Sequence, residues 1–312
     1  MNTDVTQVGD GLYAIDTYLE RPLMDASHLI VDQGHAAFVD TGTPAAVPRL
    51  TAALADLDLD PAAVEYILVT HVHLDHAGGV GRLAAALPRA KVIVHPRGMG
   101  HLIDPSRLVA ATRAVYGAQY YDRVYGGVVA VPAERIEAAE DGRRIAIGRR
   151  RFDLLHTPGH ALHHLAAVDP DTREVFSGDT FGVSYREFDT AAGAFIIATT
   201  TPTQFDPQQL LASIDRLLDL RPSAVYLTHY SRVGDIQRLG ADLKADVEAM
   251  AAIARAGASH REAIGARIFE HWSRRLDAHG FPADPARRHA LLDFDAALNA
   301  AGLDAWLSRT LH

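Results

Sequence analysis

Cysteine is missing from all 312 residues of the chain, and its absence excludes several kinds of site. Disulfide bonds, iron–sulfur clusters, thiolate zinc sites and a cysteine nucleophile all require a thiol. The chain also lacks a long block of Lys or Arg, and its formal net charge is -9. Because nucleic-acid binding needs a concentrated positive face, we expect a small-molecule partner and no nucleic acid.

Long apolar runs and targeting signals are missing as well. No stretch approaches the roughly 18 apolar residues of a membrane-spanning helix. The first residues carry neither the basic region nor the apolar region of a signal peptide, so we expect a cytoplasmic protein without a membrane partner. Hydrophobic residues make up 48% of the chain, enough for a substantial core. The length predicts one large domain or a domain with an appendage. The sequence does not decide whether the chain forms a homo-oligomer.

The segment of residues 70–79 is rich in metal-type ligands and reads Thr-His-Val-His-Leu-Asp-His-Ala-Gly-Gly. It follows an apolar run that predicts a buried strand. Alternate residues of an extended segment point the same way, so His71 and His73 can converge on one ion. Asp75 and His76 then turn past them toward a second ion. Packing four such side chains without a cation would leave polar groups unsatisfied, which favours a metal site over ordinary histidines.

Strand and helix patterns alternate along the first two thirds of the chain. The predicted strands lie within residues 11–40, 63–69, 91–95, 134–180 and 224–228, and the predicted helices at 44–57, 78–88 and 207–219. This alternation is typical of an α/β layered architecture. After residue 234 the β pattern stops and three helices are predicted. We therefore expect a core over residues 1–234 and a helical C-terminal appendage over residues 235–312.

Three further predicted strands end in metal-type ligands: His160 in Thr-Pro-Gly-His, Asp179 in Ser-Gly-Asp, and His229. With the first cluster they make seven candidate ligands: His71, His73, Asp75, His76, His160, Asp179 and His229. One ion can take His71, His73 and His160. A second can take Asp75, His76 and His229, and Asp179 has two oxygens with which to bridge both. Asp40 also ends a strand, where it forms a turn or orients a ligand histidine from behind.

Two divalent ions that share a water lower its pKa far enough to give hydroxide near neutral pH. Asp75 can orient that metal-bridging hydroxide and pass its proton onward. The ions also polarise a scissile carbonyl or phosphoryl oxygen and stabilise the oxyanion. Zinc is the expected metal, although a His/Asp ligand set accepts iron and manganese too.

Residues 116–127 carry four tyrosines bracketed by glycines. Tyrosine offers an apolar face with a polar tip, so this insertion can wall a pocket. Ordinary loop packing is the alternative. The candidate pocket residues are Tyr116, Tyr120, Tyr121 and, later in the chain, Tyr185.

The order of these motifs resembles the metallo-β-lactamase superfamily over roughly residues 8–232. The resemblance implies an αββα sandwich with the site at one edge between two sheets. Within the superfamily the chain is most similar to the glyoxalase II-like and related metallo-hydrolase branch, in which helices follow the core. Asp40-Thr41-Gly42 matches the first superfamily motif, which favours an orienting role for Asp40. His164 stands where relatives often have a further histidine, and we expect it behind the ligands.

We therefore expect a dinuclear metal-dependent hydrolase of a small ester, thioester or lactone. The C-terminal helices show no match to the basic glutathione-binding motif of glyoxalase II, and His271, Arg274 and Arg275 are expected on a solvated face. The spacing from Gly-Asp to Tyr185 also differs from that of the lactone hydrolases. Two alternatives remain. One is a mononuclear non-haem iron dioxygenase of the persulfide type, with His71, His160 and Asp179 as ligands, and the other is a non-catalytic metal-binding scaffold.

Overall fold

A computed structural model of the chain describes residues 4–200, 203–256 and 261–310. Two β-sheets lie face to face. The first holds, in spatial order, β1 (Val5–Gly9), β2 (Leu12–Asp16), β3 (Ala26–Asp32), β4 (His35–Val39), β5 (Val64–Val69), β6 (Lys91–Val94) and β7 (Ile136–Ala138). The second holds β13 (Ser231–Val233), β12 (Ala224–Leu227), β11 (Glu174–Phe176), β10 (Leu165–Asp169), β9 (Arg150–His156) and β8 (Arg143–Ile147).

Helices cover the outer faces of both sheets. They are α1 (Val47–Asp56), α2 (Leu74–Ala77), α3 (Val80–Ala86), α4 (Met99–Ile103), α5 (Ser106–Tyr116), α6 (Ala118–Val124), α7 (Pro207–Asp219), α8 (Ile236–Ala256), α9 (Arg261–Ala278) and α10 (Pro285–Thr310). Strands β4 to β7 run parallel. Parallel neighbours need a crossover, which α1 supplies between β4 and β5, and α2 with α3 between β5 and β6. The carboxyl ends of these strands therefore share one edge of the sheet.

Three apolar layers hold the sandwich together. Successive side chains of a strand point to opposite faces, so Leu68 of β5 enters the layer between the sheets and Ile67 the layer beneath α1 and α3. The third layer lies between the second sheet, α7 and the C-terminal helices, and it includes Ile214 and Trp272. The predicted αββα sandwich with a helical appendage is confirmed.

The insertion between β6 and β7 differs from the prediction. Residues 118–124 form helix α6, where the sequence predicted an insertion or an ordinarily packed loop without a helix. Gly117 separates α5 from α6 with a φ of +84°, a left-handed conformation that glycine adopts without steric cost. Short strand β13 was also not predicted, because three residues carry too little periodicity to detect.

The three C-terminal helices pack on the core and on one another. Helix α8 lies against α7, and α9 and α10 pack side by side. The predicted boundary at residues 234 and 235 falls between β13 and α8, but one continuous apolar layer extends across it. The division into two domains therefore stays a prediction, and the predicted helix stop at Gly257 lies outside the described residues. Among the described helices, none is both long and apolar enough to cross a membrane.

Candidate metal centre

The predicted ligands meet at one edge of the sandwich, where strands of both sheets end. His71 and His73 follow β5, and His160 lies in the turn between β9 and β10. His73 Nδ1 is 2.8 Å from His71 Nε2 and 3.1 Å from His160 Nε2. The ligand atoms of these three residues lie within 4.8 Å of one another, close enough to share an ion. We call them the histidine half.

A second group of three lies beside the first. Asp75 and His76 belong to α2, and His229 follows β12. Asp75 Oδ2 is 3.8 Å from His76 Nε2 and 3.6 Å from His229 Nε2. These ligand atoms also lie within 4.8 Å of one another. We call Asp75, His76 and His229 the carboxylate half.

Asp179, just after β11, lies between the halves. Its Oδ2 is 3.4 Å from His160 Nε2, on the side of the histidine half. Its Oδ1 is 3.3 Å from His76 Nε2 and 3.7 Å from His229 Nε2, on the side of the carboxylate half. One carboxylate can therefore ligate an ion in each half.

The donor set fits divalent metal ions. Among the described residues, the buried atoms His76 Nε2 and Asp179 Oδ1 make no hydrogen bond. These two atoms lie 3.3 Å apart within the ligand cluster, and buried polar atoms that make no hydrogen bond are costly. Imidazole and carboxylate donors suit zinc, iron or manganese. The residues present can therefore hold the ions that the motif pattern predicts.

Oxygen acceptors behind the ligands orient the rings. His160 Nδ1 lies 3.2 Å from the carbonyl oxygen of Thr199, and His229 Nδ1 lies 2.8 Å from that of Met24. A carbonyl oxygen can only accept, so in the neutral ring the proton sits on Nδ1. The Nε2 lone pair is then directed at the metal position.

Asp40 joins three strand ends to one ligand. Its carboxylate accepts hydrogen bonds from the Thr70 amide at 2.8 Å, from the Thr70 hydroxyl and from the Thr228 hydroxyl at 3.0 Å. His76 Nδ1 donates to Asp40 Oδ2 at 2.8 Å. The structure thus places Asp40 behind a ligand histidine, as an orienting residue would lie. Its φ of +57° is a conformation that Asp adopts more readily than most residues.

His164 also lies behind the ligands. Its ring stacks on that of His71 with 4.9 Å between centroids. Its Nε2 accepts a hydrogen bond from the Asp179 amide at 3.1 Å, and its Nδ1 lies 2.8 Å from the Thr157 hydroxyl. His164 therefore supports the loop that carries Asp179.

The two halves differ in charge. Burial lowers the pKa values of His71 and His73 well below 6.5, and neighbouring imidazoles lower them further. Burial also opposes protonation of His229, but Asp179 and Asp75 outweigh it and raise its pKa to about 9. His76 likewise has a pKa raised well above 6.5, against burial, by surrounding carboxylates. Without a metal ion, the histidine half is neutral and the carboxylate half holds protons.

Comparison with known proteins gives a family. The sequence model of the metallo-beta-lactamase superfamily matches residues 21–229. The chain belongs to the metallo-β-lactamase superfamily. The metallo-beta-lactamase fold-containing protein ST1585 of Sulfurisphaera tokodaii is 29% identical over 53% of this chain and 60% of its own length. A hydroxyacylglutathione hydrolase of Stenotrophomonas maltophilia is 31% identical over 61% of this chain and 53% of its own length.

Solved structures agree with this assignment. The crystal structure of ST1585 covers 78% of this chain and 86% of its own, with a TM-score of 0.62 and 26% identity. The metallo-beta-lactamase family protein TTHA1429 of Thermus thermophilus covers 97% of this chain and 95% of its own, with a TM-score of 0.65 and 22% identity. The second match shows a shared fold. By sequence, the chain spans about three fifths or less of the length of the two curated relatives described above.

In this superfamily member a cavity of about 460 Å³ opens onto the metal centre. Four of the candidate ligands face it: His73, Asp75, Asp179 and His229. The rest of the wall is mostly apolar, and α5, α6 and α10 supply much of it through residues that include Leu108, Val115, Tyr116, Tyr120, Phe294 and Leu298. Open ligand positions of bound ions would therefore face an apolar chamber.

Three of the four predicted pocket tyrosines line the cavity. Tyr116 stacks on Tyr120 at 5.3 Å, and both rings stack on Phe294 of α10 at 6.3 Å. Tyr185 lines the wall near the ligands. Tyr121 is a correction: it is buried against Leu74 and lies outside the cavity wall. Neighbouring residues of a helix point about 100° apart, and in α6 Tyr120 lines the cavity while Tyr121 packs against Leu74.

Two features of the C-terminal helices were not predicted from the sequence. Asp295 of α10 faces the cavity, and burial raises the pKa of its carboxyl to about 6. His271 and Arg275 do not lie on a solvated face, because both bind the buried carboxylate of Asp246, at 2.8 and 2.7 Å. Arg274 is exposed, as expected. Helical spacing identifies the apolar side of a helix, but it does not show which polar residues of neighbouring helices pair with one another.

Proposed function

We propose that the protein is a dinuclear metal-dependent hydrolase of a small ester, thioester or lactone. The observation that carries the proposal is the pair of three-ligand groups that share Asp179 and face one cavity. Two adjacent ions held by these residues would supply water activation and polarisation of an electrophile, and hydrolysis needs both. Zinc is the proposed metal, and iron or manganese suits the same donors.

The residues of the chain supply the remaining chemistry. Bound divalent ions would supply an activated water and polarise the carbonyl oxygen of the substrate. Burial alone would raise the pKa of Asp75, but His76 and His229 outweigh it and lower that pKa. In the metal-free protein Asp75 is therefore ionised at neutral pH, and it lines the cavity. An ionised carboxylate in this place can orient the attacking water and accept its proton.

The cavity supports a substrate with an apolar part. Its volume lies in the range of small-molecule sites, and aromatic side chains form much of its wall. We place the reacting carbonyl beside Asp75 and Asp179, and the apolar part against Tyr116, Phe294 and Leu298. A nucleic acid or a membrane surface is not proposed as a partner, given the net charge of -9.

One relative supports hydrolysis. The Stenotrophomonas maltophilia protein is named for the hydrolysis of a hydroxyacylglutathione and matches 61% of this chain. The C-terminal helices of the present chain show no basic glutathione-binding motif. The proposal therefore extends to hydrolysis of an acyl compound, not to glutathione as the leaving group.

The experiment begins with protein purified without chelator and without oxygen. Elemental analysis should give up to two transition-metal ions per chain. A panel of ester, thioester, lactone and phosphodiester substrates should show turnover that a chelator abolishes and added zinc restores. His160→Ala should lose both an ion and turnover. His35→Ala removes an exposed histidine paired with Glu65 far from the ligands, and it should behave as wild type.

Other results would favour the alternatives. Freshly prepared protein without transition metal would overturn the proposal. One iron per chain, with oxygen consumption on a persulfide substrate, would identify the mononuclear dioxygenase. Two bound ions without turnover across the panel would favour a metal-binding scaffold.

A further inference from the structure

A segment of residues 194–200 runs between the metal centre and the C-terminal helices, and we call it the bridging segment. Its backbone hydrogen bonds alternate from residue to residue, which is the pattern of an extended chain. The odd-numbered residues bond to the core. The Phe195 carbonyl accepts a hydrogen bond from Ser184 Oγ at 2.6 Å, and Ile197 and Val183 exchange two backbone hydrogen bonds of 2.9 Å. The Thr199 carbonyl oxygen lies 3.2 Å from His160 Nδ1.

The even-numbered residues bond to side chains of the appended helices. Two of their carbonyls accept hydrogen bonds: that of Ala194 from Arg238 of α8 at 3.0 Å, and that of Ile196 from Arg275 of α9 at 2.8 Å. Two of their amides donate hydrogen bonds: that of Ala198 to Asp246 of α8 at 2.7 Å, and that of Thr200 to Asn299 of α10 at 2.6 Å. All three C-terminal helices therefore hold the segment whose other edge faces a metal ligand.

The helix side of this arrangement is rigidly held. Asp246 is 1% exposed and is bound by Trp272 as well as by His271 and Arg275. Asn299 is also 1% exposed, and its Nδ2 donates to the carbonyl of Asp295.

Helix α10 approaches the bridging segment closely at a second point. A Cβ atom on Gly302 would lie only 2.7 Å from the Thr200 carbonyl oxygen. Glycine is thus required for the observed distance between the helix and the bridging segment.

The bridging segment also reaches the second ligand half. Val183 pairs with Ile197, and the next residue, Ser184, donates its amide to the carbonyl of His229 at 2.6 Å. A displacement of the bridging segment would therefore disturb His160 directly and His229 through one strand pairing.

We propose that Asn299 and Asp246 are positioning residues for the metal centre, acting through the bridging segment on His160. The proposal goes beyond hydrolysis, because it concerns metal affinity whatever the bound ions do. It depends on the part of the proposed function that makes His160 a ligand. It gives the appended helices a role in building the site in addition to walling the cavity.

The physical reason is orientation of the ligand ring. The Thr199 carbonyl fixes the Nδ1–H form of His160 and directs Nε2 at the ion, and loss of such a partner typically costs 10 to 100-fold in metal affinity. Asn299 acts one step farther away, through the Thr200 amide. We therefore expect Asn299→Ala to weaken binding at the histidine half about tenfold, the lower end of that range.

The test compares Asn299→Ala with a control in the same helix. Leu292→Ala removes a fully buried apolar side chain of α10 and lowers stability without removing a hydrogen bond to the bridging segment. Zinc affinity is measured by competition with a chromophoric chelator, and the visible spectrum of the cobalt-loaded protein reports ligand geometry. Asn299→Ala should bind zinc about tenfold more weakly, with an altered cobalt spectrum. Leu292→Ala should unfold at lower temperature with affinity and spectrum unchanged.

A second variant, and an NMR measurement on the metal-free protein, test the same proposal independently. Gly302→Ala removes no hydrogen-bonding side chain, but its Cβ would meet the carbonyl oxygen and the hydroxyl of Thr200 at 2.7 and 2.8 Å, so it should weaken zinc binding by displacing Thr200. Nitrogen NMR of the metal-free protein should show His160 protonated at Nδ1 in wild type and mixed tautomers in Asn299→Ala. If the wild-type protein binds no metal, the proposed function is wrong. The NMR measurement would still test whether Asn299 positions the His160 ring.

Two results would overturn the proposal. Equal zinc affinity in wild type, Asn299→Ala and Gly302→Ala, with the His160 tautomer unchanged, would show that the segment does not set the ligand. Equal weakening in Asn299→Ala and Leu292→Ala would assign the effect to general stability.

Discussion

The two halves of the metal centre are built from neighbouring residues but hold different charge. Burial keeps the histidines of one half neutral, with pKa values lowered for His71, His73 and His160. In the other half, carboxylates outweigh burial and raise the pKa values of His76 and His229. We therefore expect an ion to enter the histidine half without displacing a proton and to replace protons in the carboxylate half.

The largest expected effect comes from removing one ligand of each half. Asp75→Ala takes away a ligand and the group that orients the attacking water, so we expect hydrolysis to fall at least roughly a thousandfold, where each ~1.4 kcal/mol of barrier is about tenfold. His160→Ala should damage either chemistry, because both mechanisms use it. Metal content and rate are measured for both variants.

Near-normal hydrolysis by Asp75→Ala would contradict the role assigned to that residue. If the variant kept one iron and most of an oxygen-dependent turnover, the carboxylate half would be irrelevant and the dioxygenase alternative would stand.

The next effect is a pH dependence confined to one half. His229 keeps a proton below its pKa of about 9, so an ion in the carboxylate half binds more tightly as pH rises toward that value. The proton on His229 alone contributes about tenfold per pH unit, and the proton on His76 adds to it, so affinity should rise at least roughly a hundredfold between about pH 7 and 9. Binding to the histidine half should stay level there, since its imidazoles are already neutral.

Zinc titrations at several pH values, with proton release followed by calorimetry, measure both affinities. If the zinc affinities of both halves changed equally with pH, the two halves would not differ in protonation as described.

A smaller effect is expected from the residue behind the carboxylate half. Asp40→Ala leaves the donors of Thr70, Thr228 and His76 without their acceptor, so the free energy of unfolding should fall by about 3 kcal/mol. Metal affinity of the carboxylate half should fall about 10 to 100-fold, with the histidine half much less affected. Chemical denaturation and zinc competition measure these changes.

Asp169→Ala is the matched control for Asp40→Ala. Asp169 is equally buried, pairs with Arg150 and lies outside the ligand cluster. It should lose stability while keeping both metal affinities. If Asp169→Ala lost as much metal affinity as Asp40→Ala, the effect would not be specific to Asp40.

The smallest effect concerns the cavity wall rather than either half. Leu298→Trp fills the apolar chamber, so the KM of substrates with a long apolar acyl group should rise about tenfold, a difference of ~1.4 kcal/mol. Acetyl substrates and metal content should be unchanged. Leu220→Trp makes the same replacement at an exposed position and is the control. An unchanged preference for acyl length would place the apolar part of the substrate elsewhere.

Much of the candidate site could be predicted because its signals are local. Each ligand stands next to an apolar strand in a short turn, so residue type and spacing identify His71, His160 and His229 without the fold. Alternation along an extended segment also predicted that His71 and His73 converge. Tyr121 shows the limit of such patterns, since the segment predicted as a pocket-walling insertion is helical and buries that ring against Leu74.

The sequence by itself determined the candidate ligand set, the order of strands and helices, and the existence of an apolar helical appendage. These follow from periodicity and motif spacing within a few residues of chain. Tertiary structure alone decided that the appended helices face the site, that Asp246 meets the Ala198 amide 48 residues away, and that Asn299 meets the Thr200 amide 99 residues away. Such pairings depend on how buried faces pack, and a helical period specifies a face without specifying its partner.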